Sequence, residues 1–156
     1  MTVIYRVIRW APILPWMFIF YWWYIIAWLP SNEWLTVKKI FVADSTPEHP
    51  PTLSIDWEIH KEFTGKWQTS LKKAASAGAN EVSGSFEVVC TAEGEYQFKP
   101  GFKVPSKIDL YWWLGHRNCP LDPGSYFVET SWVWDVWGVE KKVIIDSNVF
   151  QIKSKA

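Results

Sequence analysis

The chain has 156 residues, with 16 basic and 16 acidic side chains, so its formal charge is zero. All 16 acids follow residue 30, against 14 of the basic residues, which leaves that part at about −2 (14 minus 16). No basic face is evident, which argues against a nucleic-acid partner. The roughly 125 residues beyond the apolar N-terminal stretch suffice for one domain with its own core and are too few for two.

Residues 1–9 form a short basic stub containing Arg6 and Arg9. Residues 10–29, WAPILPWMFIFYWWYIIAWL, carry no charge. An α-helix of that length covers the ~30 Å hydrocarbon core of a bilayer. A signal peptide would end in small residues, but this run ends in Ala27-Trp28-Leu29-Pro30. A helix of a soluble core would show a polar stripe, and none is present. A transmembrane helix is therefore expected over 10–29, with Pro12 and Pro15 tolerated in its first turns. Trp10, Trp28 and Trp34 suit the two interfaces, whereas Trp16, Trp22 and Trp23 fall inside the span. These inner rings would face lipid or pack against another membrane protein. Arg6 and Arg9 before the span, with Lys38 and Lys39 well beyond it, lean toward a cytoplasmic N-terminus and an extracytoplasmic (periplasmic) C-terminal domain.

Residues 30–51 read as a juxtamembrane segment and a linker. WLTVKKIFVA within them fits either a short interfacial helix or a strand. Three prolines in DSTPEHPPT (44–52) break any helix. From residue 52 to 153 the period switches to two. Leu53, Ile55, Trp57 and Ile59 alternate with polar residues, and Gly65, Trp67, Thr69 and Leu71 share a face. Residues 72–80 suggest a hairpin loop. Phe86, Val88 and Cys90 are placed on an inner face, a turn at Glu93-Gly94 leads to Tyr96 and Phe98, and Pro100-Gly101 ends that piece. Ile108, Leu110, Trp112 and Leu114 read as one strand. Tyr126, Val128, Thr130, Trp132 and Trp134 share a face of the next, and a last strand over 141–152 is interrupted at Asp146-Ser147-Asn148 by a candidate bulge. Some seven short strands without intervening helices predict an all-β sandwich.

Two cysteines in an exported domain favour a disulfide, Cys90–Cys119. Their 29-residue separation fits neither a CxxC redox motif nor a zinc site.

The pattern Pro123-Gly124-Ser125-Tyr126 with Val128 and Trp132, followed by Ser147-Asn148-Val149-Phe150-Gln151-Ile152, resembles the last two strands of immunoglobulin-like and fibronectin-like bacterial domains. The order of parts (short basic start, aromatic anchor, Pro-rich segment, sandwich) is similar to that of small single-pass membrane proteins carried by phages and prophages. The resemblance implies an immunoglobulin-like β-sandwich behind one N-terminal transmembrane helix, and it supplies no functional residue. Cys119 departs from the inter-sheet bridge of antibody domains, because it falls in a connector.

Catalytic signatures are missing. His49, His60 and His116 lie outside any HExxH helix, there is no G-x-S-x-G elbow, and no glycine-rich loop opens a helix after a strand. His116, Cys119 and Asp122 are close in sequence, but a disulfide at Cys119 removes them as a ligand set. Glu58 and Glu62 read as solvated. No enzyme activity, metal or cofactor is expected.

Tryptophan is the outstanding residue: 13 in all, seven of them at positions 57–137. Parity assigns Trp57, Trp112, Trp132 and Trp134 to the core. It turns Tyr111 and Trp113 outward, joined by Trp137 at a turn and by Phe127, as a candidate interaction patch. The partner expected for that patch is an envelope or virion protein. Alternatives are a glycan of the cell wall, or a structural place in a membrane complex with the aromatic face simply covered.

Overall fold

The computed structural model describes residues 13–46, 48–74, 86–115 and 119–154. Helix α1 spans Ile13–Trp28, without an acid in its first turn or a base in its last. Its sixteen residues measure about 24 Å. Among the described residues no helix is long and apolar enough to cross a membrane. The 10–29 span is thus longer than the helix described, and Trp10 lies outside the described residues. Trp16, Trp22, Trp23 and Trp28 are exposed, as is every residue from Pro15 to Tyr24, and only the C-terminal end of α1, at Ile26, is buried against the sandwich.

Pro30 interrupts the helix, one 3₁₀ turn (Ser31–Glu33) follows, and β1 (Leu35–Val42) begins. Most of the segment read as juxtamembrane is therefore a strand of the domain: β1 pairs antiparallel with β2 (Thr52–Ile59) from Leu35↔Ile59 to Val42↔Leu53. Its apolar residues change parity, from Leu35 and Val37 to Ile40 and Val42, across a bulge between Val37 and Lys39. Trp34 just before it is buried in the core rather than at a membrane interface, and the domain starts before residue 52.

The remaining strands are β3 (Phe63–Ala74), β4 (Phe86–Phe98), the two-residue β5 (Ile108–Asp109), β6 (Gly124–Val136), β7 (Val139–Asp146) and β8 (Phe150–Ile152). They form two sheets, ordered β1-β2-β5 and β4-β3-β6-β7, with β8 also on β6. Every strand pairing is antiparallel. The core between the sheets includes the fully buried Leu35, Leu53, Leu71, Val128 and Trp132.

Two strands depart from the sequence reading. β4 runs without a turn through Glu93-Gly94, where Gly94 sits opposite Trp67. A Cβ there would lie 2.6 Å from the Tyr96 ring, so only glycine leaves room for that ring to lie back along the strand. Phe86 and Val88 are exposed rather than inward. A register shift, with Leu71 opposite Cys90 but Lys72 opposite Val88, makes Val89 an extra residue and reverses the parity beyond it.

The interruption before β8 is a bulge on one continuous edge. β7 and β8 both pair with β6, and the register slips by one across residues 147–149. Ser147 occupies the kink: its N–H donates to Val128 O at 2.8 Å, and its hydroxyl accepts from Val128 N at 2.9 Å.

Lys141 of β7 ties the sandwich to α1. It is 5 % exposed, and its Nζ donates to Ala27 O at 3.1 Å and Leu29 O at 2.6 Å. These are orphan carbonyls at the negative end of the helix, which is where a buried ammonium is best accommodated.

Candidate functional site

Asp109 decides the local geometry. Its Oδ1 accepts from Tyr111 N at 2.7 Å, an N-cap that turns the chain into a single helical turn, α2 (Leu110–Trp113). Gly115, at φ +67, takes the left-handed conformation just past the end. The stretch read as a strand from Ile108 to Leu114 is thus a strand of two residues followed by a turn. Period-two parity fails here: Trp112 is 49 % exposed and Trp113 only 5 %. The Trp113 indole N–H donates to Thr130 Oγ1 at 3.4 Å, and Thr130 is hydrogen-bonded to Thr69 across β3 and β6 at 3.0 Å. The Cys90–Cys119 disulfide, Cα atoms 5.9 Å apart, pins the chain after α2 to β4.

These placements leave a pocket of about 340 Å³ between the sheets. Trp57 enters from β2, Trp67 from β3, and Tyr96, Gln97 and Phe98 from β4. The connection from β4 to β5 adds Phe102 and Val104, and α2 with its end adds Trp112, Trp113 and Gly115. The opening exists because β5 stops after pairing with Thr52 and Leu53, so β2 continues toward Ile59 without that neighbour. Rings meet edge to face around it: Trp67 and Trp113 at 5.1 Å, Trp57 and Trp113 at 6.5 Å, Trp57 and Phe98 at 6.1 Å. The indole nitrogens of Trp57 and Trp67 are sealed from solvent and have no hydrogen-bond partner among the described residues. Tyr96, Phe102 and Trp112 keep about half their surface in water.

The four residues of the predicted patch stand at separate places. Trp113 is a wall of the pocket, not a surface residue, because of the helical turn. Phe127 is also buried, although it points away from the main core: the Phe86 ring meets it at 6.0 Å and Lys72 lies over both rings. Tyr111 is partly buried and its hydroxyl donates to Cys119 O at 3.5 Å; burial, then the Asp109 carboxylate, raises its pKa above the usual value. Trp137 is exposed at the tip of the β6–β7 hairpin. His116 lies outside the described residues, as does the 75–80 part of the predicted hairpin loop.

Trp112, Tyr96, Phe102 and Val104 are the pocket residues that strand parity passes over. The signal that finds the first is the string Asp109-Leu-Tyr-Trp-Trp-Leu-Gly115, an N-cap acid and a terminating glycine around one turn. For Phe102 and Val104, in a Pro-bounded connection, no local pattern marks a place in the pocket lining.

The chain matches no family model, no curated protein and no solved structure in these comparisons.

Proposed function

We propose that the chain is a membrane-tethered, non-enzymatic binding module whose immunoglobulin-like sandwich recognises an envelope or virion protein on the extracytoplasmic side. The observation that carries this reading is the ring-lined pocket, an aromatic concavity with half-exposed rings at its mouth and an uncharged wall. Concave apolar sites with rigid aromatic walls are where binding energy concentrates.

Strand order supports the immunoglobulin-like assignment. β3, β6 and β7 take the places of strands C, F and G, β1, β2 and β5 those of A, B and E, and β4 is added beyond C. Tyr126, near the start of β6, donates its hydroxyl to Asp122 O at 2.7 Å, the tyrosine corner of such domains. The tether is supported by the uncharged stretch 10–29 and by the large apolar side chains exposed from Trp16 to Tyr24 of α1. A disulfide suits the oxidising, extracytoplasmic side.

Photo-crosslinking in intact cells tests the reading, with the probe at Phe102 or Trp112 and a control at the exposed Glu58. A discrete protein adduct at the pocket mouth and none at Glu58 is expected. Adducts equal at all three positions, or none, would discard it. Glycan binding is the second reading, because Tyr96 and Trp112 leave ring surface in water on which a sugar can stack; high-mass wall material at Trp112 would select it.

A further inference from the structure

We infer that the pocket holds one uncharged, apolar side chain of the partner polypeptide, an aromatic ring in preference to an aliphatic chain. The inference rests on the protein-partner reading above and names what the site selects.

Charge decides first. None of the lining residues carries a formal charge. An anion drawn into this space would lose its hydration and meet no guanidinium or ammonium, and a cation would have ring faces alone in place of its water and no carboxylate. Polarity decides next. A sugar brings a hydroxyl on almost every carbon, each needing a partner once buried. The polar side-chain groups of the lining, beside the indoles, are the Tyr96 hydroxyl and the Gln97 amide, whose Nε2 already donates to Glu62 Oε1 at 2.6 Å, too few for a hydroxyl on almost every carbon. The indole nitrogens of Trp57 and Trp67 are sealed behind the wall. A buried sugar would be left with unpaired hydroxyls.

Shape favours a ring. Trp57, Trp67 and Trp113 already pack edge to face, the arrangement in which aromatic quadrupoles attract, so the wall offers both ring edges and ring faces to an incoming ring. The volume lies at the low end of ligand sites, enough for one large side chain. The mouth argues for a polypeptide as the source. Tyr96, Phe102 and Trp112 are 54, 53 and 49 % exposed around it, and a free small molecule seated inside would leave them in water. A chain carrying the inserted ring would run across them and cover them.

The full chain in lipid nanodiscs, with ¹⁵N-labelled indoles, provides the test. Titration with N-acetylphenylalaninamide is expected to shift the Trp67 and Trp113 indole signals saturably, and N-acetylleucinamide about threefold more weakly. Trp112→Ala, at a half-exposed rim, should weaken binding roughly tenfold while leaving the Trp67 indole signal in place, the Trp113 signal moving because it loses a ring 6.5 Å away. Val104→Trp, which fills the space, should abolish it. Tighter binding of tetramethylammonium or of an N-acetylglucosamine disaccharide overturns the inference, as does the absence of any saturable shift in a folded chain. A partner adduct in cells that persists in Val104→Trp sinks the inference and leaves the protein-partner reading standing. Ring binding without any adduct in cells removes the polypeptide as the source, and the protein-partner reading falls with it.

Discussion

The side-chain amide of Asn148 closes on the backbone of Val42 from both sides. Its Nδ2 donates to Val42 O at 2.9 Å, and its Oδ1 accepts from Val42 N at 2.8 Å. Asn148 sits in the β7–β8 bulge at the edge of one sheet and Val42 ends the edge strand of the other, so one amide joins the two layers, next to the short parallel bridge between Ser45 and Ile152. Asn148→Ala leaves two backbone groups without partners, and stability should fall by about 2–4 kcal/mol. Asn148→Asp should be at least as damaging, since a carboxylate would face the Val42 carbonyl. Urea unfolding of both variants checks this; midpoints equal to that of the parent would refute it.

Trp112 and Trp113 are adjacent in sequence and opposite in consequence. Trp113→Ala empties a core site that also holds the Thr130 hydrogen bond, and should cost about 3–5 kcal/mol. Trp112→Ala should cost under about 1 kcal/mol, because half of that ring is already in water. Reversed magnitudes in thermal unfolding would restore the strand reading of this segment.

Removing the Cys90–Cys119 bond should lower stability by about 3.5 kcal/mol in the chain-entropy account. It should also loosen the pocket, since Cys119 holds the far end of the segment that carries Trp112 and Trp113. A Cys90→Ser, Cys119→Ser double variant is expected to bind N-acetylphenylalaninamide more weakly even in conditions where it stays folded. Unchanged affinity would mean that α2 is held by packing alone.

Trp137 has φ 55 and is followed by Gly138 at φ 81, a two-residue hairpin in which both positions are left-handed. Asparagine adopts that conformation at lower cost than tryptophan. Trp137→Asn should therefore raise stability by about 0.5–1 kcal/mol. A lower melting temperature would show that the ring makes contacts that outweigh its backbone strain.

Asp146 faces Glu129 across β6 and β7, and Lys72 reaches the Glu129 carboxylate at 2.7 Å. Partial burial, then repulsion from Glu129, raises the Asp146 pKa, and Lys72 opposes the rise. A carboxyl raised in the folded state binds its proton more tightly there than in the unfolded chain. Its contribution to stability is present below the unfolded value near 3.8 and is lost as the pH climbs through the folded pKa. Relative to the parent, Asp146→Asn should be more stabilising at pH 7 than at pH 3.5. The difference should be small, because Asp146 keeps much of its surface in water.

Much of the sandwich was legible from alternation, since a half-buried strand must place apolar groups at every second residue. β3 and β6 show this along their lengths, from Phe63 to Leu71 and from Tyr126 to Trp134. The bulge at Ser147-Asn148 was also visible as polar residues in an apolar run. What alternation could not convey is where the period itself changes. At Val89 one inserted residue swapped faces, and at Asp109 a side chain capped a helical turn that made one of two neighbouring tryptophans core and the other rim. The pocket is not legible in the sequence for a related reason: it is assembled from residues between Trp57 and Gly115, and its opening depends on how early β5 ends.

Lys141 has a mechanical consequence. By holding the carbonyls of Ala27 and Leu29, it converts the junction after α1 from a swivel into a bracket. If α1 sits in a bilayer as proposed above, these two hydrogen bonds would narrow the range of orientations of the sandwich above the surface, and with it the headings and heights of the pocket mouth. A partner in the same membrane would then meet a site whose rotational freedom has been partly surrendered before the encounter, which lowers the entropic cost of docking. A partner approaching from the wrong height would not meet it at all.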